Sequence, residues 1–358
     1  MESSALQERK AFITIEGRRI GPKEPVFIIA EAGCNHNGEI SLAKELINVA
    51  VEAKADCVKF QTFHAQDVAS TMAHQAKYAL KTIDQSKSHL EMLKKLELSA
   101  DAHFELATFS QKKGILFLSS VFDHRAIDIL DRIGVPAFKI PSGEIINFPL
   151  LEDAAKRGKP IILSTGMSYL SEVEEAIQVI QRCGCRELAL LHCLSNYPAD
   201  PNQVNLRAIV TLSTAFGLPV GYSDHVRSNE ISFGAVALGA CIIEKHFTLD
   251  RSLPGPDHSA SLEPRELTDL VRGIRDLEQA LGDGIKRPMP DEEDTRWVAR
   301  KSLVAKRDLV AGTRLSLETV CFKRPGTGIQ PRELKYILGR TINRDVKADE
   351  LITWETID

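Results

Sequence analysis

Residues 115–144 read ILFLSSVFDHRAIDILDRIGVPAFKIPSGE, and this stretch decides the fold. An apolar run, Ile115–Leu118, gives way to Ser119, Ser120 and Asp123. A helical pattern follows and closes at Gly134; a second apolar run, Ala137–Ile140, again ends in polar residues. Short apolar runs without alternation are what strands covered on both faces look like, as in a parallel sheet flanked by helices.

The same unit recurs on either side. Val26–Ala30, Cys57–Phe60, Pro160–Leu163, Leu188–Leu191, Pro219–Tyr222 and Cys241–Ile243 bring the runs to eight. Gly114, Gly134, Gly158, Gly184, Gly217, Gly239 and Gly282 sit where each helix hands over to a strand, and are expected in a left-handed conformation. Ser88 with Glu91, and Ser171 with Glu174, fit capping boxes at helix starts. Eight strand–helix units predict a closed (β/α)₈ barrel over residues 25–282. A doubly wound open sheet is the competing architecture, but no glycine-rich dinucleotide turn follows the first strand.

Ahead of the barrel lies an extension, residues 1–24. Within it Phe12–Ile20 (FITIEGRRI) alternates around Gly17 and reads as a hairpin suited to closing the barrel bottom. The interval from His64 to Lys87 is polar and long, as loops over a barrel mouth often are. Residues 283–298 have the proline-rich, charged composition of a linker. From 299 to 358 the pattern changes to short strands and turns, with Gly312 and Gly326 as turn residues, and a small β-rich domain is expected.

The chain has 358 residues and a net charge of −4, with acids and bases interspersed. That balance argues against nucleic acid or an anionic membrane as the main partner. No apolar run is long enough to span a bilayer, and the start, MESSALQERK, has no secretory core, so a cytoplasmic location is expected. The seven cysteines include no CxxC pair. Cys183 and Cys185 are expected to pack, and Cys34 is open between a reactive thiol and a small apolar filler.

The chemistry lies where a barrel would put it, at the C-terminal ends of the strands. Every run is followed by polar groups, among them Glu31, Lys59, Gln61, Ser119, Ser120, Lys139, Ser142, Glu144, Ser164, Tyr197, Ser223, Asp224, Glu244 and Asp257. His225 and His246 end neighbouring strands. Two imidazoles with oxygen co-ligands suit Mn²⁺, Mg²⁺ or Co²⁺ better than a closed zinc site, and His36, His192 and His258 could support them. Lys59 and Lys139, with Ser142, Ser164 and turn amides, could surround a phosphate and a carboxylate. The alternatives for the lysines are structural ion pairs or a Schiff base, the latter needing a lysine with no anion to neutralise.

These residues fall in segments that resemble the sialic acid synthase family: AEAGCNHNG (30–38), VKFQTF (58–63), FKIPSGE (138–144), ILSTGM (162–167), LHCLSNYP (191–198), GYSDH (221–225), IEKHFT (243–248), PGPDHSASLEP (254–264) and KRPGTG (323–328). The resemblance implies a TIM barrel followed by an antifreeze-like (SAF, β-clip) domain. It implies metal-dependent condensation of phosphoenolpyruvate with N-acetylmannosamine to give N-acetylneuraminate and phosphate. A legionaminate-type synthase using a 2,4-diacetamido-6-deoxy-mannose would share every motif. By resemblance His225 and His246 hold the metal, Mn²⁺ before Mg²⁺ or Co²⁺. Lys59, Lys139, Ser142, Ser164 and Ser223 hold phosphoenolpyruvate. Glu31, Gln61, Glu144, Tyr197, Glu244 and Asp257 stand near the sugar or a metal-bound water, with Glu31, Glu244 and Asp257 as the catalytic acids and bases. Arg324 reaches the sugar's acetamido group from the partner subunit of a domain-swapped homodimer. One position departs from the pattern: some family members carry Asn where this chain has Ser195.

Overall fold

The computed structural model describes residues 12–73 and 88–358. Most of the polar interval after His64 therefore lies outside the described residues. The chain divides into two compact units, Met1–Gly282 and Asp283–Asp358.

The first unit opens with a hairpin, β1 (Ile13–Ile15) and β2 (Arg18–Ile20), turned at Glu16 and Gly17, both with positive φ. Eight parallel strands follow: β3 (Phe27–Gly33), β4 (Cys57–Thr62), β5 (Leu116–Val121), β6 (Phe138–Ile140), β7 (Ile161–Ser164), β8 (Leu188–Cys193), β9 (Val220–Asp224) and β10 (Ile242–His246). They close in chain order, with β10 pairing β3. Several strands run further than their apolar runs suggest, because the polar residues at their ends keep the ladder while turning inward.

Alternation along the strands sets two environments. Ile28, Val58, Phe117, Phe138, Ile161, Leu190, Val220 and Ile243 face outward into the large core beneath the helices. Phe27, Ile29, Cys57, Leu118, Ala137, Ile162, Leu191 and Ile242 face inward and form an apolar floor with Ile13, Ile15 and Ile20 of the hairpin. Those three isoleucines are fully buried, and each contributes about 1.5–3 kcal/mol of burial. The hairpin seals the bottom, as its alternation suggests. Arg18 and Arg275 converge on the Asp56 carboxylate at 2.5 and 2.7 Å, which also accepts the Ile28 amide, fixing the hairpin to the barrel.

Helix ends follow simple rules. All seven handover glycines have positive φ, although Gly282, at ψ −154°, lies outside the left-handed helical region. Ser88 and Glu91 form the expected capping box on His89–Leu96. The box expected at Ser171 and Glu174 does not form. The helix begins two residues earlier, at Leu170, where Glu172 accepts the Tyr169 amide. Asp123, a strand-end residue on the sequence, caps the next helix by accepting the Ala126 amide and also takes the His64 amide.

In the second unit a short turn at Pro290–Glu292 leads into a helix, Glu293–Ala299, in a stretch whose composition reads as linker. Its β-rich part pairs β11 (Ser302–Ala305) with β12 (Val320–Lys323) around a core that includes Leu303, Leu309, Leu315, Ile329, Ile342 and Ile352. Gly312 turns at φ +83°, whereas Gly326 has an ordinary φ and is small because the Arg300 side chain would stand 2.7 Å from a Cβ there. All seven cysteines are free thiols. Among the described residues no helix is long and apolar enough to cross a membrane.

Candidate active site

Two residues past the apolar floor, the inward positions become charged or, at Ser164, polar. Ile29 is followed by Glu31, Cys57 by Lys59, Ala137 by Lys139, Ile162 by Ser164 and Ile242 by Glu244. The period of two does this alone: each strand spends its lower inward residue on the floor and its upper one on the site.

These groups meet in an alternating chain of charge. Lys59 Nζ lies 2.6 Å from Glu31 Oε2 and 3.6 Å from Glu244 Oε2, and Lys139 Nζ is 3.4 Å from Glu244 Oε1. Ser120 accepts from Lys59 at 2.7 Å, and Ser223 donates to Glu244 at 2.9 Å. Gln61 reaches Glu31 at 3.4 Å. All four charged side chains are at least 95% buried. Burial penalises every charge here, and pairing decides what survives. At Glu31 burial outweighs Lys59 and pushes the carboxyl up to about 7. At Glu244 the opposite holds: Lys139, Lys59 and the Ser223 hydroxyl overcome burial and hold it at about 2. Lys59 is raised, because Glu244 and Glu31 outweigh burial, whereas burial wins at Lys139 and lowers it.

Beside the lysines is a cradle of small donors. Ser142 Oγ accepts the Gly166 amide at 2.9 Å and lies 3.3 Å from Cys193 Sγ, which is 3.7 Å from Ser195 Oγ. A Cβ on Gly166 would lie 2.4 Å from Ser195 Oγ, 2.7 Å from Ser142 Oγ and 2.8 Å from Cys193 Sγ. Ser164 Oγ is buried with no hydrogen-bond partner among the described residues. A buried hydroxyl left unpaired on the inner face of the barrel, one inward position past Ile162, the register partner of Lys139, is suited to an anion.

His225 and His246 each stand one inward position nearer the mouth, two residues beyond Ser223 and Glu244. Their ring centroids are 5.5 Å apart, and Tyr197 packs on both, at 4.0 and 5.5 Å. His225 Nδ1 donates to the Leu194 carbonyl at 2.7 Å, which leaves the lone pair on Nε2, 3.5 Å from a Ser223 hydroxyl whose proton goes to Glu244. His246 Nδ1 is buried without a hydrogen-bond partner among the described residues, 4.0 Å from Asp257 Oδ2. Burial holds His225 down at about 4; burial and then His225 hold His246 well below its usual value. Burial pushes Asp257 up to about 6. Two neutral imidazoles, one with its tautomer fixed, and an unsatisfied nitrogen facing a carboxylate form a donor set that fits a divalent cation.

The expected site residues thus divide. Glu31, Lys59, Gln61, Lys139, Ser223 and Glu244 form one connected network, with Ser142 and Ser164 beside it. His225, His246, Tyr197 and Asp257 form the outer group. Glu144 is only partly buried and is tied to Asn147 at 2.7 Å. Arg324 belongs to the second unit, where it is exposed and donates to the Ala299 carbonyl at 3.0 Å. Cys34 is buried on Gln61, and burial raises its thiol well above the usual range, so it is a filler and not a reactive thiol. His192 points outward to the Val204 carbonyl, and His258 ties Thr248 to Asn37; neither faces the imidazole pair. Ser120, Gly166 and Cys193 line the same region; Ser120 ends an apolar run and the other two lie inside the segments 162–167 and 191–198, but none carries a charge that would single it out. A separate group, His64, Asp67 and Asp123, gathers at the ends of β4 and β5, with Asp123 already occupied as a helix cap.

Comparison with known proteins agrees with this architecture. The NeuB family model matches residues 46–286, and the SAF domain model matches 300–358. The N,N′-diacetyllegionaminic acid synthase of Campylobacter jejuni is 50% identical over 91% of this chain and 98% of its own length. The N-acetylneuraminate-9-phosphate synthase of Mus musculus is 38% identical over 96% and 95%. The crystal structure of the N-acetylneuraminic acid synthetase of Leptospira borgpetersenii, in complex with citrate, is 39% identical with a TM-score of 0.70, covering 79% of this chain and 94% of that one. A barrel with this ring of inward charges, followed by this second unit, makes the chain a member of the NeuB family with a SAF domain in residues 300–358.

Proposed function

We propose that this protein is a nonulosonic acid synthase that condenses phosphoenolpyruvate with an acetamido sugar in its open-chain aldehyde form. The observation that carries the reading is the buried Glu31–Lys59–Glu244–Lys139 chain beside an unpaired hydroxyl and two neutral imidazoles. On sequence alone N-acetylmannosamine is the first choice of sugar. The 50% identity to a legionaminic acid synthase, against 38% to a neuraminate-9-phosphate synthase, favours the 2,4-diacetamido-6-deoxy-mannose instead.

In this reading Lys59 and Lys139 hold the phosphate and carboxylate of phosphoenolpyruvate. Ser142, Ser164 and the Gly166 amide complete the cradle, and Ser223 orients Glu244. A divalent cation on His225 and His246, Mn²⁺ for preference, would supply Lewis acidity at the mouth side of that cradle. The lysines present C3 of phosphoenolpyruvate to the aldehyde carbon, so the gain is positioning plus charge stabilisation. The C2=C3 electron pair forms the bond to the aldehyde carbon and water adds at the C2 cation that this leaves; one proton of the water replaces the one given to the sugar oxygen, the other leaves with phosphate as the C2–O bond breaks, and C2 becomes a ketone. Glu244, held ionised, orients that water. Glu31, which titrates near neutrality, gives and takes the proton at the sugar oxygen. Gln61, Glu144, Tyr197 and Asp257 line the sugar side. The resemblance assigns Arg324 of a partner subunit to the acetamido group, which requires a homodimer.

The test is phosphate release from phosphoenolpyruvate with Mn²⁺, comparing the diacetamido sugar, N-acetylmannosamine and N-acetylmannosamine 6-phosphate. Preference for the first is the expected result. Preference for either of the others overturns the sugar assignment, and no release with any overturns the reading.

A further inference from the structure

Directly behind the site, on the outward face of the same two strands, lies a second pair of buried charges. Asp224 and Lys245 are register partners on β9 and β10 and alternate with Ser223, Glu244 and the two histidines. Their side chains are 0% and 2% exposed. Lys245 Nζ lies 2.7 Å from Asp224 Oδ2 and donates to the Val226 carbonyl and, at 3.0 Å, the Ser228 carbonyl. Asp224 also takes Ser232 Oγ at 2.6 Å on Oδ2, and the Val226 amide at 2.9 Å and Tyr222 Oη at 3.2 Å on Oδ1. Three ammonium donors and four carboxylate acceptor sites are thus all used. A buried ion pair so fully satisfied holds one backbone conformation, since any other would leave a buried charge unpaired.

The backbone it holds is that of His225. Asp224 Oδ1 closes a turn across residue 225 to the Val226 amide, and Lys245 fixes the carbonyls at 226 and 228. On the other side the His225 carbonyl accepts the Ala199 amide at 2.8 Å, and its ring nitrogen is tied to Leu194. We propose that Lys245 and Asp224 are positioning residues for His225: the outward ion pair sets the turn that aims the imidazole Nε2 into the barrel. This rests on the proposed role of His225 as a metal ligand.

The test uses the full-length, metal-free protein and titrates it with Mn²⁺. Three variants are compared: His225→Ala, the charge-free double variant Asp224→Asn/Lys245→Met, and Ser232→Ala, which keeps both charges and removes one donor to Asp224. If the unmodified protein and His225→Ala bind Mn²⁺ alike, the metal reading itself fails, whatever Lys245 does. If His225→Ala loses binding, the double variant is expected to bind Mn²⁺ at least tenfold more weakly, with Ser232→Ala intermediate. Co²⁺ bound to the double variant should show a displaced visible absorption band, which reports ligand geometry, at a temperature where its melt shows the fold intact. Unchanged Mn²⁺ affinity and an unchanged Co²⁺ band in a folded double variant overturn the proposal. Should the double variant not fold, Ser232→Ala decides: at least threefold weaker binding supports the proposal, and anything less overturns it.

Discussion

Gly166→Ala adds one methyl group at the tightest point of the cradle. The backbone admits it, since Gly166 is not among the residues with positive φ. The obstacle is space: the new carbon would lie 2.4 Å from Ser195 Oγ, 2.7 Å from Ser142 Oγ and 2.8 Å from Cys193 Sγ. None of the three can turn away freely, because Ser142 accepts the Gly166 amide and Cys193 packs against both serines. Overpacking of this kind costs about 1–3 kcal/mol, or a fall in Tm of roughly 2–10 °C. Moving the Ser142 hydroxyl off an anionic ligand removes a hydrogen bond worth about 1.5–3 kcal/mol, roughly 10- to 150-fold in affinity. The assay is steady-state phosphate release with both substrates varied, alongside a thermal melt. KM for phosphoenolpyruvate should rise by that factor, KM for the sugar should change little, and Ser195→Gly in the same chain should recover part of both losses. An unchanged KM for phosphoenolpyruvate with an unchanged melt would refute the packing argument. A lowered Tm with unchanged KM would place the cradle away from the phosphate.

Replacing His225 or His246 by Ala should abolish metal-dependent turnover; full activity of the double variant in the presence of a chelator would remove both from a metal site. Arg324→Ala should raise KM for the sugar far more than for phosphoenolpyruvate, and equal changes in the two would exclude it from the sugar side. Glu31 gives a signed pH effect. Its folded value is raised to about 7 from 4.5, so the stability it contributes is full below pH 4.5 and is lost as pH rises through about 7. Melts of the metal-free protein should therefore fall relative to Glu31→Gln between pH 4.5 and 7, and parallel curves would contradict the raised value.

Much of this was legible in the sequence because two regularities are strict. A parallel barrel strand is buried on both faces, so its apolar run shows without ambiguity, and the residues that follow it can only lie at the mouth. What the sequence could not settle is phase among consecutive polar residues. Ser223, Asp224 and His225 read alike as strand-end polar groups, yet only the first and third turn inward, while Asp224 is spent on Lys245. Helix starts were ambiguous for a related reason. Ser171–Glu174 and Tyr169–Glu172 offer competing carboxylates, and it is Glu172 that takes the N-terminal amide, from Tyr169. Asp123 looked like a site residue and is a cap. Gly166 and Cys193 carry no charge to mark them, and their importance comes only from what the fold brings within contact.

The isoleucine-floored hairpin has one further consequence. A barrel stopped at its base is a chamber with a single doorway. The lysines stand nearer the stop and the histidines nearer the door, on the same strands. If the proposed function holds, with phosphoenolpyruvate at the lysine level and the sugar at the histidine level, the two are expected to queue, the first entering before the second.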